Sequence, residues 1–197
     1  MNFGELLDEV VLITSRPDLR DNKIKAAVKM ATLKAHQSDY YYKDVLEQPL
    51  QFSSPNFLQS INYRNLIPRF RAIKYLRKYD EVGNLEGKFL TSIDPLEARD
   101  SYGYTQLDVY YVAGEVIQIR GSDEITKLLF ACYINPDIKE ESFNSWIALD
   151  HPYAIVADAS STVFKTIGYD EEAAYWQRMV QEQLAEIKLS NILPDGS

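Results

Sequence analysis

The end of the chain constrains its fold most. From His151-Pro152 onward, Ile155, Val156, Ala159, Val163 and Ile167 recur at helical spacing. After Gly168 a second series, Ala173, Trp176, Val180, Leu184 and Ile187, does the same. Two apolar stripes joined by one glycine predict an αα-hairpin, with helices over 152–167 and 170–189, each carrying a face that another element must cover. Beyond Leu189 the run Ser190-Asn191-Ile192-Leu193-Pro194-Asp195-Gly196-Ser197 has no period. An extended tail over 190–197 is expected, frayed or held by a partner.

The start of the chain mirrors its end. Phe3, Leu6, Leu7, Val10 and Val11 predict a helix over 3–14, stopped at Arg16-Pro17. Asp18 is expected to cap a second helix over 18–38, lined on one side by Ile24, Ala27, Val28, Ala31 and Ala35. Tyr40-Tyr41-Tyr42 suits a strand or a packed loop. The middle third is rich in β-branched and aromatic residues. Two hairpins are predicted, Arg69–Tyr75 with Lys88–Ile93 around Asp80–Asn84, and Asp108–Val112 with Val116–Arg120 around Ala113-Gly114. Leu128–Ile134 reads as one more strand, and Pro95–Arg99 as a single helical turn. The fold class is therefore α+β: N- and C-terminal helices packed as a helical bundle, with a central antiparallel β-sheet inserted at about 50–138, one domain over 1–189.

Charge and composition narrow the function. A chain of 197 residues is long enough to bury roughly 70% of its unfolded surface without disulfides or metals. Its net charge of −8 argues against a free nucleic-acid binder and against adhesion to anionic membranes. No run approaches the ~20 apolar residues of a membrane span, and Met1-Asn2-Phe3-Gly4-Glu5 lacks the basic lead of a signal peptide, so a cytosolic protein is expected. Cys132, the sole cysteine, sits in an apolar run and reads as a buried hydrophobe in a reducing compartment.

Catalytic and metal constellations are not expected. His36 and His151 have no neighbours at metal-ligand spacing, and the glycines form neither GxxxxGK nor GxGxxG, so no metal and no cofactor is predicted. Asp150-His151 has the composition of half a catalytic dyad, which keeps a small hydrolase in view, but it also reads as a loop leading into a helix with Pro152 in its first turn. One charge feature stands out: between Arg64 and Lys78 six basic residues, Arg64, Arg69, Arg71, Lys74, Arg77 and Lys78, occur with no acidic one. Three readings apply. The strip is a strand with one solvated face, Arg69 and Arg71 outward and Phe70 and Ala72 inward; or a subunit interface or channel surface, meeting an acidic segment such as Asp137–Glu141 or Asp170–Glu172 of another copy; or a nucleic-acid contact, with Phe70 and Tyr75 stacking on bases.

The order of elements resembles a known family. An N-terminal helix, a long Ala- and Lys-rich helix ending in His36 before an aromatic triplet, the run Leu66–Arg71, the strand from Leu129 to Asn135-Pro136, the lead Ser145-Trp146-Ile147, and helices from Pro152 to Ala159 and from Asp170 to Ile187 are similar to the head-to-tail adaptor (connector, or head completion) proteins of tailed bacteriophages. The resemblance covers Phe3 to Leu189 in pattern and order. It implies a structural virion protein, no enzyme, assembled in the host cytoplasm: a homo-oligomeric ring of about twelve copies beneath the portal protein. Such a ring extends the DNA channel and offers a platform to a downstream tail or nozzle protein. Viral DNA passes through without specific binding, and no membrane is involved. By the same resemblance the C-terminal segment reaches the portal, and Lys188, Leu189, Asn191, Ile192, Leu193 and Pro194 are its portal-binding candidates. Another tail ring component, such as a tail-tube or tail-completion protein, shares this acidic, non-catalytic profile.

Overall fold

The structure, a computed structural model, describes residues 1–79, 83–97 and 106–190. It is mixed α+β, with helices at both ends of the chain and a sheet between them. Two compact units result: a helical one made of Met1–Asp44 together with Asn135–Ser197, and a sheet of Val45–Ile134. The expected insertion over 50–138 thus occupies 45–134.

In the helical unit α1 (Phe3–Thr14) opens with a capping box, Asn2 accepting from Glu5 N–H and Glu5 from Asn2 N–H. The predicted helix over 18–38 is helical from Pro17 to Gln37 but changes type along its length. Pro17–Leu19 forms a 3₁₀ turn, Arg20–Ile24 a π turn, and only Lys25–Gln37 (α2) is α-helical. Asp18 does not cap it, because its carboxylate is held by Arg16 at 2.7 Å. Of the two alternatives for Tyr40–Tyr42 the packed loop is the one found: Tyr41 is buried, and Tyr42–Asp44 forms a 3₁₀ turn. Later in the chain come α4 (Trp146–Asp150), α5 (Pro152–Thr166) and α6 (Asp170–Ser190), α3 being the short Tyr63–Leu66 in the sheet unit.

The predicted helical hairpin is present. Gly168 takes φ 83°, and Tyr169 N–H returns to Phe164 C=O at 3.0 Å, closing α5 with the left-handed residue that glycine adopts without strain. Every residue from Ala154 to Ser161 is buried, so α5 is the central helix. It packs Ile155, Val156, Ala159 and Val163 against Phe3, Leu6, Leu7 and Val10 of α1 and Val28, Ala31 and Ala35 of α2, and Ile187 of α6 joins this core. Each fully buried Leu or Ile there contributes roughly 1.5–3 kcal/mol.

The sheet is built on two long strands. β1 (Val45–Asn62) and β6 (Val116–Ile134) pair antiparallel along their length, from Val45 opposite Tyr133 to Asn62 opposite Val116. The predicted strands 116–120 and 128–134 are thus one strand that bends across Gly121–Glu124. Gly121 permits the bend, since a Cβ there would lie 2.7 Å from the Asp123 carbonyl oxygen. On its other edge β6 pairs with β2 (Phe70–Tyr79) through Leu128–Ile134 and with β5 (Val109–Ala113) through Val116–Arg120. β3 (Leu85–Phe89) adds to β2, and the two-residue β4 (Thr91–Ser92) adds to β5 in parallel, a departure from the antiparallel sheet expected. The predicted strand 88–93 is split at the buried Leu90, whose N–H bonds Leu76 C=O. Ile117 and Ile119 from one half of β6 and Leu128, Phe130 and Cys132 from the other share one apolar cluster with Ile61, Leu76 and Tyr110. Burial pushes the Cys132 thiol up to about 11, so it stays protonated at neutral pH. Pro95–Glu97 forms the predicted turn; Arg99, and Asp80, Glu81 and Val82 of the first hairpin's turn, lie outside the described residues.

Candidate functional site

The six basic residues between 64 and 78 do not form one row. Arg64 precedes β2 and pairs with Glu115 at 3.0 Å. Arg69 is exposed and Arg71 half-buried. Two bulges, between Phe70 and Ala72 and between Ile73 and Tyr75, shift the strand's phase, so simple alternation fails. Phe70 packs against the core as expected, but so does Ile73. Lys74 lies near the rings of Tyr75 and Tyr133, and Arg77 over that of Phe89 at 5.1 Å. Lys78 turns inward at 4% exposure, its ammonium 2.7 Å from Asp108 and 3.2 Å from Ser122 Oγ. Asp108, at φ 55°, also accepts from Ser122 N–H at 2.9 Å. Burial works to raise its pKa, but the hydrogen bonds from Lys78 and Ser122 and the lysine charge prevail and hold the carboxyl below its ordinary range.

On the same sheet Tyr75 Oη donates to Glu47 across Ala131, which stands opposite both residues and is small enough to let them meet. Burial and that carboxylate push the Tyr75 phenol up to about 12. The strip is thus a mixture of an inward ion pair, cation–aromatic stacking and exposed guanidinium.

Lys188 and Leu189 lie on the last turn of α6, both exposed, with Lys188 3.8 Å from Asp39. Asn191, Ile192, Leu193 and Pro194 lie outside the described residues. Asp150 and His151 are placed differently from a dyad: Asp150 is held by Lys43 at 2.6 Å, which raises the lysine's pKa, and His151 stands edge-on to the Trp146 ring.

The polar constellation that does assemble lies elsewhere, in residues that no sequence spacing connects. His36 Nδ1 lies 2.8 Å from Asp44 Oδ1 and its Nε2 lies 2.8 Å from Ser145 Oγ. This is the connectivity of an acyl-transfer triad, yet Ser145 is 3% exposed and its Oγ caps α4 by accepting from Ala148 N–H at 3.1 Å. Trp146 Nε1 donates to the same Asp44 oxygen at 2.8 Å, while Asp44 Oδ2 is buried without a partner. Held this way, the hydroxyl works as a helix cap and the trio fastens α2, the Tyr42–Asp44 turn and α4 to one another. The available signal was His36 itself, which falls on the buried face of α2 beside Thr32 and Ala35.

A groove of ≈ 210 Å³ lies between α2, α5 and α6, lined by Ala31, Lys34, Asp158, Gln177, Val180 and Leu184. Lys34 Nζ spans both oxygens of the buried Asp158, at 3.2 and 3.1 Å. No group of three or more metal-ligating side chains occurs among the described residues, and no helix there is long and apolar enough to cross a membrane. No protein-family model matches the sequence, and comparison with curated proteins finds no match.

Proposed function

We propose that the chain is a structural virion protein, a head-to-tail connector. About twelve copies form a ring below the portal, extend the DNA channel and join the capsid to the tail. The observation that carries this reading is the outward surface of α6. Of its 21 residues Ala173, Val180 and Ile187 are buried, Trp176, Met179, Gln183 and Leu184 are half-buried with Leu184 against the core, and the other fourteen are exposed, Lys188 and Leu189 at its end among them. One stripe of the helix holds it to the core, and the exposed two-thirds is a surface that neighbours can use. The acidic balance fits a channel that DNA must cross without sticking, since twelve copies gather on the order of a hundred negative charges.

In this reading the segment from Lys188 to Pro194 docks on the portal, with Ile192 and Leu193 as apolar anchors ordered on binding. Deleting Ser190 to Ser197 is expected to leave the melting temperature unchanged and to abolish co-sedimentation with the portal ring. A truncated chain that still sediments with the portal refutes that docking.

A further inference from the structure

The acidic excess is unevenly shared. The two segments of the helical unit hold 18 acidic against 11 basic residues, whereas Val45–Ile134 holds 11 against 10. Two copies therefore repel least where sheet meets sheet. Gln48 to Tyr63 contains no charged residue, although β1, which spans most of it, is an edge: among the described residues it pairs with β6 alone. Edge strands are commonly guarded by charge because their open N–H and C=O groups recruit another chain. Here charge is absent from that stretch of the edge, and what blunts backbone pairing is two prolines and two register slips. Pro49 and Pro55 interrupt the donors of the edge, so side chains must supply most of the contact.

They are in place to do so. Ser53 to Leu58 are all exposed, Phe57 by 50%. The register to β6 slips twice in this stretch, yet its shape is defined: Asn56 Oδ1 accepts from Leu58 N–H at 3.2 Å and Gln59 Nε2 donates to Ser54 C=O at 2.8 Å. An aromatic side chain displayed on a pre-ordered bulge is the kind of residue that anchors an interface. At the opposite edge β3 pairs, among the described residues, with β2 alone. It exposes Leu85 and Phe89, the latter braced from within the sheet by Arg77 and Tyr75.

We infer that copies of this chain join sheet to sheet and head to tail, Phe57 and Leu58 of one copy docking along Leu85–Phe89 of the next. The inference rests on the ring reading in one respect: two different edges make a contact that repeats from copy to copy and can close, whereas β1 against β1 stops at two copies.

The test uses the full chain, made as an equal mixture of ¹⁴N and ¹⁵N copies with p-benzoylphenylalanine in place of Phe57, concentrated and irradiated. Mixed-isotope cross-linked peptides joining position 57 to residues 85–89 are expected. Phe57→Glu with Leu58→Glu, read by sedimentation, should weaken self-association at least about tenfold. Cross-links to β1 of the second copy, to the helical segments, or none between copies overturn the inference, whether or not rings form. Expected cross-links in a species without ring symmetry sustain the sheet contact and count against the connector reading instead.

Discussion

At the scale of single residues, charge alone was a poor guide to position. Arg64 to Lys78 reads as one basic strip, but Lys78 is drawn inside by Asp108, a residue thirty positions away that no spacing rule connects to it. The pair has a pH signature. Because the folded-state pKa of Asp108 lies below its ordinary value, its contribution is fully present above about pH 4 and is lost as the pH falls through the lowered value. Asp108 is partly exposed, so that contribution is at most about 1 kcal/mol. Asp108→Asn keeps a residue type that tolerates its positive φ. Urea melts should show the wild-type advantage at pH 7 shrinking by pH 3, and an advantage that does not change with pH contradicts the ion-pair account. His36 was legible only as a polar residue at a buried helical position. Its partners Asp44 and Ser145 come from separate stretches of chain, and nothing in the sequence ties them together.

Among elements, legibility followed local pattern. Helices over 3–14, 152–167 and 170–189 end within a residue of expectation, because their stripes, their caps and Gly168 are all local signals. The hairpin expected around Ala113-Gly114 forms for the same reason, with its turn one residue on at Gly114-Glu115. β1 is not legible in the sequence: two prolines and a polar middle hide a strand that exists because β6 pairs with it over a separation of more than fifty residues. β6 reads in halves, since Ser122-Asp123-Glu124 has the composition of a turn and only the surrounding sheet shows it to be a bend. The three-part trio of His36, Asp44 and Ser145 is the corresponding long-range device among the helices, joining α2 to α4. His36→Ala strips Asp44 of its imidazole partner inside the core, and a loss of about 2–5 kcal/mol is expected in urea unfolding. A loss below about 0.5 kcal/mol would mean that water takes over the imidazole's role and that the trio holds nothing together.

For the whole molecule, the division of labour is chemical. Most of the net negative charge belongs to the helical segments, and the sheet is nearly neutral with uncharged, exposed side chains at its edge. Such a chain suits an assembly in which helices and tail face partners while sheets meet between copies. The connector proposal unites the outward face of α6, the acidic balance and the long exposed edge in one role. Its most direct test is electron microscopy of the tagged full-length protein recovered from the cells that produce it, averaged for rotational symmetry. The account predicts twelvefold rings stacked on a wider ring or on a capsid vertex; sixfold stacks, or monomers with no larger partner, would contradict it.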